Sequence, residues 1–458
     1  MIFTQYYLDC LSQASYLVGD ETTGQAVVVD PRRDVGEYLA DARTQGLTIV
    51  GVIDTHFHAD FLAGHLELAE ATGAWIGFGS RAQADFPVRH LADGERIVLG
   101  EVALEVWETP GHTPESISVL VREHAGDEVP YGVLTGDALF IGDVGRPDLL
   151  ASVGYTADEL GRMLYATVRR LMALPDEVRV FPAHGAGSAC GKNLSTERSS
   201  TIGDQRAGNY ACRPMTEDAF LALVTEGQPA APDYFGYDAL LNRRPHEVFH
   251  PRRARPMELA EVLGLQEAGA VVVDARDPHE YAAGHLGGSL NVPADGRFAE
   301  TAGMVVRPDQ QLVVVAPQDR EEEVVVRLAR IGFDRVAGYL RGPEGAFLTI
   351  PERVERASRV TAPQLAAALR APVRPVLLDV RNVGELAAGA IPGARHIPLA
   401  QLPNRLAEIP PDRPVVAYCA GGYRSSVAAS LLRRSGVEDV SDLLGGYSAW
   451  ATLGQPVG

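Results

Sequence analysis

Cysteine is scarce. The four present among 458 residues (Cys10, Cys190, Cys212 and Cys419) lie far apart and form no CxxC pair. That excludes a disulfide framework or a thiolate zinc knuckle and fits a reducing compartment, the cytoplasm. Long apolar runs are missing too, and nothing approaches the roughly 18–20 residues that span a bilayer. The first basic residue is Arg32, so no charged flank precedes an apolar stretch and no secretory leader is expected. Positive charge is in deficit, with 41 Lys+Arg against 60 Asp+Glu and a net charge of −19. Such a balance repels phosphate backbones and anionic lipid, and neither nucleic acid nor membrane is an expected partner.

What is present is ordinary globular composition, 46% hydrophobic and 22% charged. The chain is about three times the usual domain length of ~150 residues. Two stretches read as linkers: Asn242–Pro256, with five arginines and three prolines, and Gly342–Thr361, with Gly, Pro and scattered charge. They divide the chain into 1–241, 257–345 and 360–458. The last two blocks are copies: Asp274 and Asp379, Arg276 and Arg381, Glu280 and Glu385, and Pro293 and Pro398 are each 105 apart. Two units of that size suit a duplicated domain and not a solenoid. In each, an apolar strand (Val271–Val273; Val376–Leu378) precedes a polar turn, and a second (Leu312–Val315; Val415–Tyr418) feeds an amphipathic helix. Alternating strands and helices predict an α/β domain with a parallel sheet.

The first block predicts strands at Ala26–Val29, Ile49–Ile53, Ala103–Val106, Ser118–Val121 and Val178–Phe181, and helices at Val35–Thr44 and Leu62–Ala71. A layered α/β sandwich with functional groups on loops at strand ends is expected. His56, His58 and Asp60 follow the strand Ile49–Ile53; His112, Asp137 and His184 follow later strands, each beside a glycine. A single histidine of this kind is usually structural, but imidazoles and carboxylates arriving together on loops with stiff supports are what a metal needs.

THxHAD, PGHT, TGDAL and PAHG resemble the metallo-β-lactamase superfamily, whose αββα sandwich agrees with the layered reading. The details resemble the persulfide dioxygenases. Two-zinc members such as glyoxalase II have a histidine after the aspartate of the first motif; here Phe61 stands there, and a phenyl ring has no lone pair to donate. The resemblance implies one Fe(II) per chain, held by His56, His112 and Asp137, a two-histidine, one-carboxylate set that leaves positions open for O2 and substrate. It leaves His58, Asp60 and His184 to orient ligands or face substrate. Arg146, in the Gly142–Asp148 loop, either partners the carboxylate of a small thiol such as glutathione or is a surface arginine in a turn. Cys190 either meets a persulfide or is an inert buried thiol.

In the last block Cys419-Ala-Gly-Gly-Tyr-Arg-Ser lies between a strand and a helix. Backbone N–H groups at a helix N-terminus stabilise a thiolate or persulfide anion, and Arg424 adds charge. With Asp379-Val-Arg before it and Gly445-Gly-Tyr-Ser-Ala-Trp after it, the loop resembles the rhodanese (sulfurtransferase) family. The middle copy has Pro317 where Cys419 should be, followed by Gln-Asp-Arg-Glu-Glu-Glu; it is read as an inactive rhodanese-like spacer, interface or docking domain. The whole order resembles fused persulfide dioxygenase–sulfurtransferases of sulfide oxidation. That implies small-molecule persulfide, O2, sulfite and thiosulfate as reactants, and self-association as a dimer or tetramer. The alternatives are a two-zinc thioester hydrolase of the glyoxalase II type with an appended sulfurtransferase, and a scaffold with a vestigial metal loop.

Overall fold

The computed structural model describes residues 1–149, 154–250 and 253–454. The chain forms two units: Met1–Pro229 with Phe235–His250, and Ala230–Tyr234 with Pro251–Gly458.

The first unit contains two six-stranded sheets. One runs, in spatial order, through Ile2–Leu8, Gln13–Asp20, Gln25–Val29, Thr48–Ile53, Trp75–Gly79 and Arg89–Leu91. The other runs through Ser200–Thr201, Arg179–Pro182, Gly132–Gly136, Ile117–Arg122, Ala103–Glu108 and Arg96–Val98. Side chains alternate faces along a strand, and Gln25–Val29 is apolar on both. Val27 and Val29 meet Leu104, Val119 and Leu134 of the opposite sheet. Ala26 and Val28 instead meet Tyr38, Ala42 and Leu68 of the covering helices Gly36–Thr44 and His65–Thr72. On the far side Leu164, Val168 and Leu171 of the helix Ala157–Leu171 pack on Leu120, Val133 and Val180. The result is the expected αββα sandwich.

Two local expectations differ from what forms. The second helix begins at His65, not Leu62, because 54–64 is spent on a loop at the strand end and Gly64 caps the helix. Asn242–His250 is not a free linker: Asn242 is buried against the first-motif loop, and the Phe249 N–H donates to Glu67 at 2.9 Å.

The second unit holds the duplicated sheets. Pro256–Met257, Val336–Leu340, Leu312–Val315, Val271–Asp274 and Leu290–Asn291 form one five-stranded parallel sheet. Ser358–Val360, Val440–Leu443, Val415–Tyr418, Val376–Asp379 and Arg395–His396 form the other in the same spatial order. The second supposed linker supplies a helix, Pro343–Leu348, and the edge strand Ser358–Val360.

Candidate metal centre and thiol loop

Four strand ends of the first unit converge. His56 follows Thr48–Ile53, His112 follows Ala103–Glu108, Asp137 follows Gly132–Gly136 and His184 follows Arg179–Pro182. All four side chains are buried. His112 Nε2 lies 3.4 Å and His56 Nε2 3.8 Å from Asp137 Oδ2. One donor atom from each of the three falls within 4.8 Å of the others. Gly111 makes the close approach possible: at φ +143°, an added Cβ would sit 2.4 Å from the Leu164 Cα of the covering helix.

The other ring nitrogen of each histidine is already engaged. His112 Nδ1 donates to the Arg146 carbonyl at 2.9 Å, and His56 Nδ1 lies 3.0 Å from Thr55 Oγ1. A donating Nδ1 leaves the Nε2 lone pair of His112 facing the centre. Burial, with like-charged neighbours, pushes His56 and His112 below the ordinary imidazole range, so both rest neutral. Burial opposes ionisation of Asp137, but the histidines, His184 foremost, hold its carboxyl well below the usual range. Asp137 Oδ1 accepts from His184 Nδ1 at 2.7 Å, while Oδ2 is buried with no hydrogen-bond partner among the described residues. A bare buried carboxylate oxygen is costly. Facing two neutral imidazole nitrogens, it fits a cation.

The remaining predicted residues form a ring around this trio. His58 turns away to Asp30, its Nε2 3.0 Å from Oδ1, with its ring tilted against that of Phe61 at 4.3 Å between centroids. His184 bridges two carboxylates, Asp137 through Nδ1 and Asp60 through Nε2 at 2.9 Å. Cys190 is buried, its sulfur grouped with Asp60 and His184. Burial, then the charges of Asp60 and Asp137, push its thiol well above the usual range. Arg146 is buried, with Nε and Nη2 each 2.7 Å from Asp148 and Nη1 donating to the carbonyls of Ala189 and Pro229. Its guanidinium is spent on protein partners, and its carbonyl is what orients His112.

Three supports escaped the sequence reading. Asp30, in the left-handed region at φ +51°, accepts from the Thr55 N–H at 2.7 Å and holds His58. Glu115 accepts from the Phe57 N–H at 3.1 Å. Asn242 donates to the carbonyls of His58 and Phe61. The signal for Asp30 was a charged residue directly after the apolar run Ala26–Val29; Asn242 gave none, because arginines and a proline follow it.

In the second unit Cys419 is buried at the end of Val415–Tyr418. Its Sγ accepts from the Gly422 N–H at 3.1 Å, where the helix Tyr423–Arg434 begins, and lies 3.7 Å from Ser425 Oγ. Arg424 does not reach toward the sulfur by a hydrogen bond: both its Nη atoms meet Glu385 at 2.7 Å. Gly446, at φ +56°, passes so close that an added Cβ would lie 2.3 Å from the Cys419 carbonyl. In the first copy Pro317 stands at the sulfur's place and three glutamates open the helix Glu321–Ala329.

Residues 8–184 match the metallo-β-lactamase superfamily, and residues 258–343 and 361–453 each match the rhodanese-like domain. Over 175 residues the chain is 32% identical to persulfide dioxygenase ETHE1 of Bos taurus, covering 37% of this chain and 63% of that protein, under two thirds of its length. It is 31% identical to a hydroxyacylglutathione hydrolase of Rhodospirillum rubrum over 57% of this chain and 90% of the relative. A crystal structure of a metallo-β-lactamase from Staphylococcus aureus subsp. aureus COL superposes with a TM-score of 0.67 at 33% identity, covering 74% of this chain and 98% of that one.

Proposed function

For a chain that belongs to the metallo-β-lactamase superfamily and ends in two rhodanese-like domains, we propose a persulfide dioxygenase joined to a thiosulfate sulfurtransferase. The observation that carries it is the bare Oδ2 of Asp137 facing His56 and His112, with Phe61 where a second metal would need a donor. A single Fe(II) per chain held by these three residues would activate dioxygen and leave coordination positions open, while the outer sulfur of the persulfide supplies the four electrons. The net reaction is RSSH + O2 + H2O → RSH + SO3²⁻ + 2H⁺, with RSSH a low-molecular-weight persulfide such as glutathione persulfide.

The chain's own groups prepare that pocket. Arg146 fixes the His112 tautomer through its carbonyl. His184 keeps a proton on Nδ1 toward Asp137, so Oδ1 is occupied and Oδ2 alone is free to ligate. Burial of the set excludes bulk water. Cys190, held neutral beside Asp60, does not compete as an anion for the open positions.

Cys419 then serves a second reaction. Its thiolate takes the sulfane sulfur of thiosulfate and releases sulfite, or runs in reverse with sulfite as acceptor. Gly422 N–H holds the sulfur, and Glu385 fixes Arg424 at the loop. Joining both activities raises the local concentration of shared sulfite. We further propose a cytoplasmic homo-oligomer; no helix among the described residues is long and apolar enough to cross a membrane.

A two-metal thioester hydrolase is the second reading. The hydroxyacylglutathione hydrolase relative and the Asp60–His184–Cys190 cluster favour it. Oxygen uptake on adding glutathione persulfide to iron-loaded protein supports the dioxygenase. Hydrolysis of S-lactoylglutathione by two-zinc protein, without oxygen uptake, supports the hydrolase.

A further inference from the structure

The duplication lets the two rhodanese-like copies be compared position by position. In each, a strand (Val336–Leu340; Val440–Leu443) runs into a short helix opened by a left-handed glycine. That glycine is Gly342, at φ +50°, before Pro343–Leu348, and Gly445, at φ +71°, before Gly446–Ala451. Gly342 and Gly445, Glu344 and Tyr447, and Phe347 and Trp450 are each 103 apart. In the copy that carries Cys419, Tyr447 is buried. Its ring centroid lies 4.3 Å from the Arg381 guanidinium carbon, and its hydroxyl donates to the Ala388 carbonyl at 3.0 Å. Arg381 is itself pinned to Asp379 and to the Gly389 carbonyl.

The first copy keeps the receiving groups and lacks the ring. Arg276 makes the same bonds, to Asp274 through Nε and Nη2 and to the Gly284 carbonyl. Glu344 takes the place of the tyrosine. The result is a cavity of about 500 Å³ whose walls include Arg276, Ala283 and Gly284, the counterparts of Arg381, Ala388 and Gly389. Phe347 adds an aromatic wall 5.1 Å from the guanidinium carbon. Leu348, also on the lining, is 83% exposed, where the other copy has Ala451.

Size and charge say what the cavity suits. Its volume falls in the range of sites for whole small molecules, roughly 300–1,000 Å³. A planar ring laid on a guanidinium face is favourable, and the sister copy fills this same frame with a ring that carries a hydrogen-bond donor. Asp274 already meets the charge of Arg276, so the remaining charges on the lining are Glu280 and Glu344 against Arg356. Two carboxylates against one guanidinium suit a cation.

We propose that this cavity binds a small cationic aromatic molecule whose ring carries an O–H or N–H donor. The ring lies on Arg276, the donor faces Ala283, and the positive charge faces Glu280 and Glu344. Binding is non-covalent and makes no use of Cys419, so the inference stands apart from the sulfur-transfer reading. The copy without a cysteine is then a ligand-binding module, with Glu344 as the residue that opens its site.

The test titrates full-length protein with tyramine by ligand-observed NMR and repeats it with 2-phenylethylamine, which lacks the hydroxyl, and with 4-hydroxyphenylacetate, which reverses the charge. Wild type is expected to bind tyramine saturably. It should bind phenylethylamine about three- to tenfold more weakly, the size of one hydrogen bond, and the anion more weakly than tyramine. Glu344→Tyr, which restores the sister copy's side chain, is expected to fill the site and weaken tyramine at least about tenfold, with the melting temperature kept or raised. Glu344→Gln leaves the cavity open and is expected to narrow the preference for tyramine over the anion. Absence of saturable tyramine binding to wild type overturns the proposal. So does an unchanged affinity in a Glu344→Tyr protein that melts as wild type does. Should Glu344→Tyr fail to fold, an unchanged charge preference in Glu344→Gln overturns it instead.

Discussion

His184 Nδ1 donates to Asp137 Oδ1 at 2.7 Å, and by that bond it assigns the two oxygens of one carboxylate to different tasks. Oδ1 is held by protein, and Oδ2 is turned to His56 and His112. Removing the partner should loosen the ligand without deleting it. His184→Ala is expected to weaken iron binding about 10–100-fold, the usual cost of losing an orienting group behind a ligand. Asp137→Ala should abolish it. Titration of apo-protein with Fe(II) under argon separates the two.

On the proposed one-metal reading, Phe61 is the residue that separates one metal from two. Its ring lies 4.3 Å from that of His58 and 6.4 Å from that of His184, and it offers no lone pair to an ion there. Phe61→His is expected to raise zinc stoichiometry toward two per chain and to lower oxygen uptake. Elemental analysis of the variant purified from zinc-supplemented cells reads it directly; an unchanged metal content would mean Phe61 does not set the count.

Cys419 and the metal trio belong to separate units. Cys419→Ser is expected to remove sulfur transfer from thiosulfate completely while oxygen consumption with glutathione persulfide stays at the wild-type rate. Loss of both in a folded protein would contradict two centres.

Gly446 tests the thiol loop's backbone. An alanine there meets a left-handed conformation worth about 1–2 kcal/mol in strain, and its Cβ would overlap the Cys419 carbonyl. Gly446→Ala is expected to lower the melting temperature of the second unit by roughly 2–8 °C or more and to depress sulfur transfer. Iron content should not change.

His285 gives the second unit a pH dependence. It is buried, stacked 3.7 Å from Tyr281, with Nδ1 donating to the Tyr281 carbonyl at 2.8 Å, and burial pushes its pKa down to about 4. The fold therefore keeps it neutral, while the unfolded chain protonates it near 6.5. Its contribution is intact above pH 6.5 and is lost as pH falls toward 4, about 2 kcal/mol by pH 5. Urea midpoints at pH 7 and pH 5 should differ accordingly, and His285→Gln should flatten the difference.

Much of this was legible in the sequence. Strands buried on both faces, such as Gln25–Val29, announce themselves as apolar runs, and the 105-residue offset from Asp274 to Asp379 exposes the duplicated sheet. His56, His58, Asp60, His112, Asp137 and His184 could be singled out together because each follows a strand among turn residues, and it was the family resemblance that implied His56, His112 and Asp137 as the ligand set. What stayed hidden depended on distant pairing. Asn242 looked like linker because its composition is polar, yet its amide ties down the His58 loop from 184 residues away. Arg146 read either as a ligand partner or as a surface arginine, because an arginine in a Gly/Pro turn shows no partner in sequence; in space it is buried, and Asp148 and two carbonyls take its donors. Arg424 looked like the neighbour of Cys419, and Glu385, 39 positions earlier, claims it.

Metal identity and number per chain, measured by elemental analysis on anaerobically purified protein and paired with oxygen uptake on glutathione persulfide, bear most directly on the first unit. One iron per chain with persulfide-dependent uptake is the expected result. Two zincs per chain, with uptake absent after iron loading, would contradict the oxidative role of His56, His112 and Asp137.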